Sequence, residues 1–168
     1  MMYEPDITEE TVFIALRTFL LSVISCTEIV RALDNRVPMP PGGFILLSPV
    51  TQARLATNIS TYTLGAPDTK NITQKTKFTA QIDCFGPKSN PWATTIATLL
   101  RDDFAVTKFP VNVVPLYADD PRQIDFTDGE MQFEERWMIQ AHFQYDPTIQ
   151  VPAQLATTLA APAITTVQ

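Results

Sequence analysis

Three observations predict an α+β (or α/β) fold for this 168-residue chain. Val12, Phe13, Leu16, Phe19, Leu20, Val23, Ile24 and Val30 recur at the three-to-four spacing of one helical face. The stretch ITQKTKFTAQIDCF alternates as a half-buried strand does, with Ile72, Phe78, Ala80, Ile82 and Cys84 on one side. A second alternating run places Met131, Phe133, Trp137, Ile139, Ala141, Phe143 and Tyr145 opposite Gln132, Glu134, Arg136, Gln140, His142 and Gln144. The length suits a single core, and the reading is one domain over residues 1–147 followed by an arm over 148–168.

The first helix starts after Asp6 or Thr8, either of which can cap it. Glu9 and Glu10 then complement the positive helix end, and the apolar spacing carries the helix to about Leu33. VPMPPGG cannot continue it, because proline lacks an N–H and its ring clashes with the preceding turn, so this segment is an extended crossover. FILLSPV is a buried strand stopped by Pro49. RLATNISTYTL, rich in Thr, Ile and Tyr, is a second strand. The turn residues of LGAPDTKN join it to ITQKTKFTAQIDCF in an antiparallel hairpin over about 54–84.

SNPWATTIATLLRDDF is a helix with Asn90 as cap and Pro91 at its first position, burying Trp92, Ile96, Leu99 and Leu100. VNVVPLY is a short strand whose Pro115 belongs at an edge or a bulge. An acidic loop, Asp119 to Glu135, leads into the long strand ending at Tyr145. Residues 148–168 carry no charged side chain, and Ile149, Val151, Leu155, Leu159, Ile164 and Val167 space apolar anchors along a proline-stiffened strip. This strip is expected to dock on a neighbour as an extended arm.

Charged residues make up 18% of the chain, light for a soluble monomer, which suggests apolar surface covered by partners. The net charge is -6, and Asp119 to Glu135 alone holds seven acids against Arg122. Tight nucleic-acid binding wants the opposite sign, but a surface that DNA slides past could use the repulsion. Asp119, Asp120, Asp125 and Asp128 are therefore candidates for a channel-facing loop.

VFIALRTFLLSVI is too short, and broken by Arg17, to span a bilayer, and the acidic start is unlike a secretory leader. Cys26 and Cys84 read as reduced core thiols. No nucleophile, metal-ligand or phosphate-loop spacing accompanies the one histidine, His142, which reads as a surface residue. DDPRQIDFTDGE lacks the ligand spacing of a calcium loop, so neither cofactor nor metal is expected. Glu135 is the one charge on the apolar side of the long strand, and either leaves the core there or pairs across a subunit boundary with Arg54 or Lys77 of a neighbour. Lys75, Arg136, Ile149 and Val151 complete the interface candidates.

EPDITEETVFIALRTFLL, NRVPMPPGGFILLSPVTQARLATN and FEERWMIQAHFQYDPTIQVP, in this order and spacing, resemble the neck or tail terminator proteins of tailed bacteriophages, especially the contractile-tailed kind. The resemblance covers roughly Glu4 to Pro152 and leaves out the Ala/Thr tail. It implies a mixed, largely antiparallel sheet with two main helices packed on one face. It further implies a non-enzymatic virion protein, assembled in the host cytoplasm, that forms a hexameric ring on the tail. Such a ring would bind the last tail-tube subunits, with sheath as a further candidate partner, stop polymerisation, and offer a surface to the head connector or head-completion protein. DNA would pass through it without specific binding. A head-completion or tube-initiating protein is the near alternative. A small ligand-binding domain or enzyme is the distant one, and would need a cleft of polar groups with perturbed pKa.

Overall fold

A computed structural model of the chain describes residues 3–26, 28–32, 40, 42–65, 67–127 and 133–153, the side chains of 125–127, 133 and 134 excepted. Three helices and nine strands form in these residues: α1 Glu9–Val23, β1 Glu28–Arg31, β2 Phe44–Arg54, β3 Ile59–Thr63, β4 Thr69–Thr73, β5 Thr76–Phe85, α2 Ser89–Leu100, α3 Asp103–Lys108, β6 Val113–Ala118, β7 Arg122–Thr127, β8 Phe133–Tyr145 and β9 Thr148–Pro152. A six-stranded main sheet has the order β1-β2-β5-β8-β6, with β7 also paired to β8. Only β1–β2 is parallel, so the fold is α+β with a mixed, largely antiparallel sheet.

Strand alternation aims one row of the main sheet at the helices. Ile45, Leu47, Phe78, Ala80, Ile82, Cys84, Ile139, Ala141 and Phe143 are buried there against Val12, Phe13, Leu16, Phe19 and Leu20 of α1 and Trp92, Ala93, Ile96 and Ala97 of α2. Phe13 meets Phe78 edge-on at 5.5 Å, and Phe109 bridges Phe19 and Phe143 at 5.2 and 5.5 Å. Each such fully buried large apolar side chain contributes roughly 1.5–3 kcal/mol, which makes this layer the main source of stability.

Helix α1 stops at Val23, well short of Leu33, and Ile24 is already extended. The helical apolar spacing runs on because Ile24 and Ile29 still reach the core, but β1 gains parallel pairing to Phe44–Leu47 that a longer helix would forfeit. Arg31 then ties β1 back to the first turn of α1, bonding Glu9 at 2.6 Å and also Glu10, with its guanidinium over Phe13. Thr8 occupies the cap position without a side-chain bond, while Asp6 is spent elsewhere, accepting from the Thr148 N–H at 2.6 Å.

Pro49 does not end β2. Strand β1 has already finished opposite Leu47, and a register shift between Pro49 and Thr51 absorbs the missing donor. Gly43 lies where an added Cβ would come within 2.8 Å of the Trp92 ring, so packing requires glycine there, while Gly42 beside it takes the positive φ of 86°. Helix α2 begins one residue before the expected cap, with Pro91 still in the first turn, where N–H groups lack intrahelical acceptors anyway. The short α3 was not foreseen and is capped by Asp102, which accepts from the Phe104 N–H.

The expected 54–84 hairpin is divided between two sheets. Strand β5 pairs with β2, whose Ile45 and Leu47 stand opposite Cys84 and Ile82, and Thr-rich β3 cannot supply such core side chains. Strands β3 and β4 instead form the end of a longer ribbon and join β9 in a separate outer sheet of order β3-β4-β9. The acidic segment is likewise only partly a loop, since β7 pairs with β8 from Arg122↔Met138 to Thr127↔Phe133. Met131 and the turn beyond Thr127 lie outside the described residues.

Candidate assembly interface

The outer sheet is the far end of the strands that build the main one. Strand β5 faces β8 with Thr76 opposite Tyr145, and β4 faces β9 with Thr73 opposite Thr148, so the register carries through the break. Two backbone bonds span the gap, Leu55 N–H to Lys75 O at 2.9 Å and Gln74 N–H to Pro147 O at 3.0 Å. The Thr73 and Thr148 hydroxyls meet at 2.8 Å just beyond.

None of the outer-sheet residues joins the buried core. Alternation puts Tyr62, Ile72, Ile149 and Val151 on one of its faces, all half-buried except the exposed Tyr62. Ile59 on the opposite face and Leu55 and Leu64 next to the strand ends are exposed, as is every residue of β3. Among the described residues no layer packs on this three-stranded sheet, and exposed apolar surface of this kind is where contacts with partners form. A groove of about 480 Å³ opens between it and the N-terminal segment, lined by Tyr3, Asp6, Pro67, Thr69, Thr148 and Gln150.

The interface candidates divide around this sheet. Arg54 ends β2 and is exposed, and Lys75 is half-buried in the break between β4 and β5. Ile149 and Val151 sit in β9, so the predicted arm begins as a strand paired to its own chain; residues 154–168 are outside the described set. Lys77 lies in the main sheet and donates to the Tyr117 hydroxyl at 2.7 Å. Glu135 is exposed and accepts from Trp137 Nε1 at 3.0 Å. Arg136 turns inward to Asp83 at 3.0 Å, its guanidinium 5.4 Å from the Phe85 ring.

Asp83 is 1% exposed and also accepts from Gln81 Nε2 at 2.7 Å. The sequence pattern could locate this residue on the polar side of its strand but not foresee its burial. His142, read as a surface residue, is buried: Nδ1 lies 2.9 Å from Thr79 Oγ1, Nε2 lies 3.4 Å from Asp119 Oδ2, and Tyr117 packs on the ring at 4.3 Å. A polar face of a strand is only exposed if nothing stands beside it, and Tyr117 of edge strand β6 does. Both cysteines are free, and burial, with the Asp83 charge adding to it, pushes the Cys84 thiol up to about 12.

Two of the acidic candidates are engaged within the chain. Asp119 faces His142, and Asp120 accepts from Arg101 at 2.7 Å. Asp125 lies on β7 directly opposite Glu135, and Asp128 is outside the described residues.

What the geometry offers is an extended, unpacked surface, and a family model described as phage neck terminator protein matches residues 10–167. The chain belongs to the phage neck terminator family. The match bears out the resemblance to neck terminators, though not its contractile-tail detail, and continues past Pro152 into the Ala/Thr tail that the resemblance left aside. No curated protein matches the chain. As a structural protein of the virion neck, this terminator is expected to work through surfaces, and the outer sheet is one that its own core leaves bare.

Proposed function

We propose that this neck terminator forms a ring, a hexamer by family expectation, at the head-proximal end of a contractile tail. The ring stops tail-tube polymerisation and presents the docking surface for the head connector or head-completion protein. The outer sheet carries this reading, because it extends the central strands past the core and holds apolar residues that its own helices do not cover. A ring needs each copy to reach its neighbour by a heterologous contact that closes after a fixed number of copies. DNA crosses such a ring without specific binding, consistent with a chain of net charge -6.

Purified protein added to polymerising tail tubes tests the proposal. Tubes of limited length, capped at one end by a ring seen in electron microscopy, are the expected result. Tubes of unchanged length distribution with a monomeric protein would overturn it.

A further inference from the structure

We infer that the β3 edge of one copy pairs with the β9 edge of the next, joining their outer sheets edge to edge, an assignment that rests on the ring reading above and names its contact. In the order β3-β4-β9 these are the two outside strands. Each has five residues and pairs with β4 without a register shift. Both run antiparallel to β4 and therefore point the same way. Copies that share one orientation around a ring then bring β9 of one beside β3 of the next as a parallel pair.

Hydrogen bonding fixes which backbone groups face outward. Thr148 donates its N–H to Asp6 Oδ1 and accepts the Asp6 N–H at its carbonyl, so its backbone points away from β4. Backbone groups alternate sides along a strand, so Gln150 also points outward while Ile149 and Val151 turn to β4. The Ala153 N–H, bonded to Asp68 O just before β4, keeps the same phase. Through the register Lys70 and Ile72 face β9, Thr69, Asn71 and Thr73 face β3, and Ser60 and Tyr62 turn their backbone groups to the open edge. Among the described residues no strand pairs with either outward edge.

Open edges are commonly blunted by charge, proline or a bulge. The main sheet does this, with Glu28 and Arg31 on β1 and Pro115 at a register shift on β6. The two outside strands of the outer sheet carry no charge, Lys70 being in the middle strand, and Pro152 comes only at the last residue of β9. The groove lined by Tyr3, Asp6, Thr148 and Gln150 keeps the N-terminal segment off β9 beyond Thr148 and leaves room beside Gln150. Tyr62 shares a face with Ile149 and Val151, so the seam sets an aromatic ring of one copy against apolar side chains of the next. One copy cannot join its own two edges, because β4 stands between them; a second copy can.

Cysteine pairs in the full chain test the seam. Within one copy β3 and β9 are about 9–10 Å apart across β4, beyond the reach of a disulfide. Oxidised Ser60→Cys with Val151→Cys, or Tyr62→Cys with Val151→Cys for the neighbouring register, should give a ladder of covalent oligomers ending at the closed ring. The single variants, which retain Cys26 and Cys84, should give no such ladder on the same non-reducing gel. A second measurement uses proline: Ser60→Pro or Gln150→Pro removes an outward N–H and should lower the ring fraction by roughly tenfold or more in native mass spectrometry, with circular dichroism unchanged.

Wild-type rings that persist in both proline variants, with no ladder from either cysteine pair, overturn the seam and leave the ring reading standing. A wild-type chain that remains monomeric alone and with tail tubes overturns both. Proline variants that keep their rings but no longer bind tubes assign the edges to the tube and overturn the contact between copies.

Discussion

Ile72 and Phe78 lie on consecutive strands of one ribbon, yet Phe78 is completely buried and Ile72 is only half-buried. The main sheet has α1 and α2 laid on one face, whereas none of the outer-sheet residues enters that core. Both sheets alternate, both pair antiparallel along the ribbon, and the register passes from one to the other without a slip. The difference teaches that alternation specifies a strand with two faces, and that a second layer decides whether one face becomes a core or a contact surface.

The largest expected effect breaks the comparison at its strong end. Phe78→Ala removes a ring wedged between Phe13 and Tyr145 and should cost the isolated subunit about 3–5 kcal/mol by urea denaturation. Ile72→Ala should cost roughly 1 kcal/mol or less in the same assay, while still weakening assembly. Equal losses at the two positions would show that the outer sheet is packed within the subunit.

Arg136→Ala should come next. It strands the buried Asp83 carboxylate with Gln81 as its remaining side-chain donor, at a cost of about 3 kcal/mol. Combining it with Asp83→Asn should recover part of the loss, because no buried charge is then left uncompensated. If the double variant is no better than the single one, the pair does not act as a unit.

A gradual effect concerns pH. Between the ordinary thiol value of 9.0 and about 12, unfolded Cys84 loses its proton while the folded thiol keeps it. The unfolded state then binds fewer protons, so stability falls as pH rises through that window, by at most about 1.4 kcal/mol per pH unit. Burial also raises Tyr145, which adds in the same direction above 10.0. Urea midpoints from pH 8.5 to 10.5 should therefore fall less steeply for Cys84→Ala than for the wild-type chain.

Periodicity sufficed for the elements whose neighbours are predictable. The α1 stripe, the Trp92–Ile96–Leu100 face, the alternation of β5 and β8 and the edge placement of Pro115 all follow from local pattern. It misjudged the places where a partner strand changes the outcome. Residues after Val23 leave the helix because β2 offers parallel pairing, and β2 passes Pro49 because β1 has ended. His142 is buried because Tyr117 of β6 packs on its ring.

Of the candidate interface, the sequence by itself determined the acidic run over 119–135 and the apolar side chains of the Thr-rich strands. It could not say that β3, β4 and β9 form one sheet, since β4 and β9 are far apart in the chain and their pairing depends on β5 and β8 already being in register. Nor could it separate Arg136, turned inward to Asp83, from the neighbouring Glu135, which stays exposed. Those distinctions are tertiary, because burial and ion pairing depend on which strand lies alongside, and a local pattern carries only the alternation.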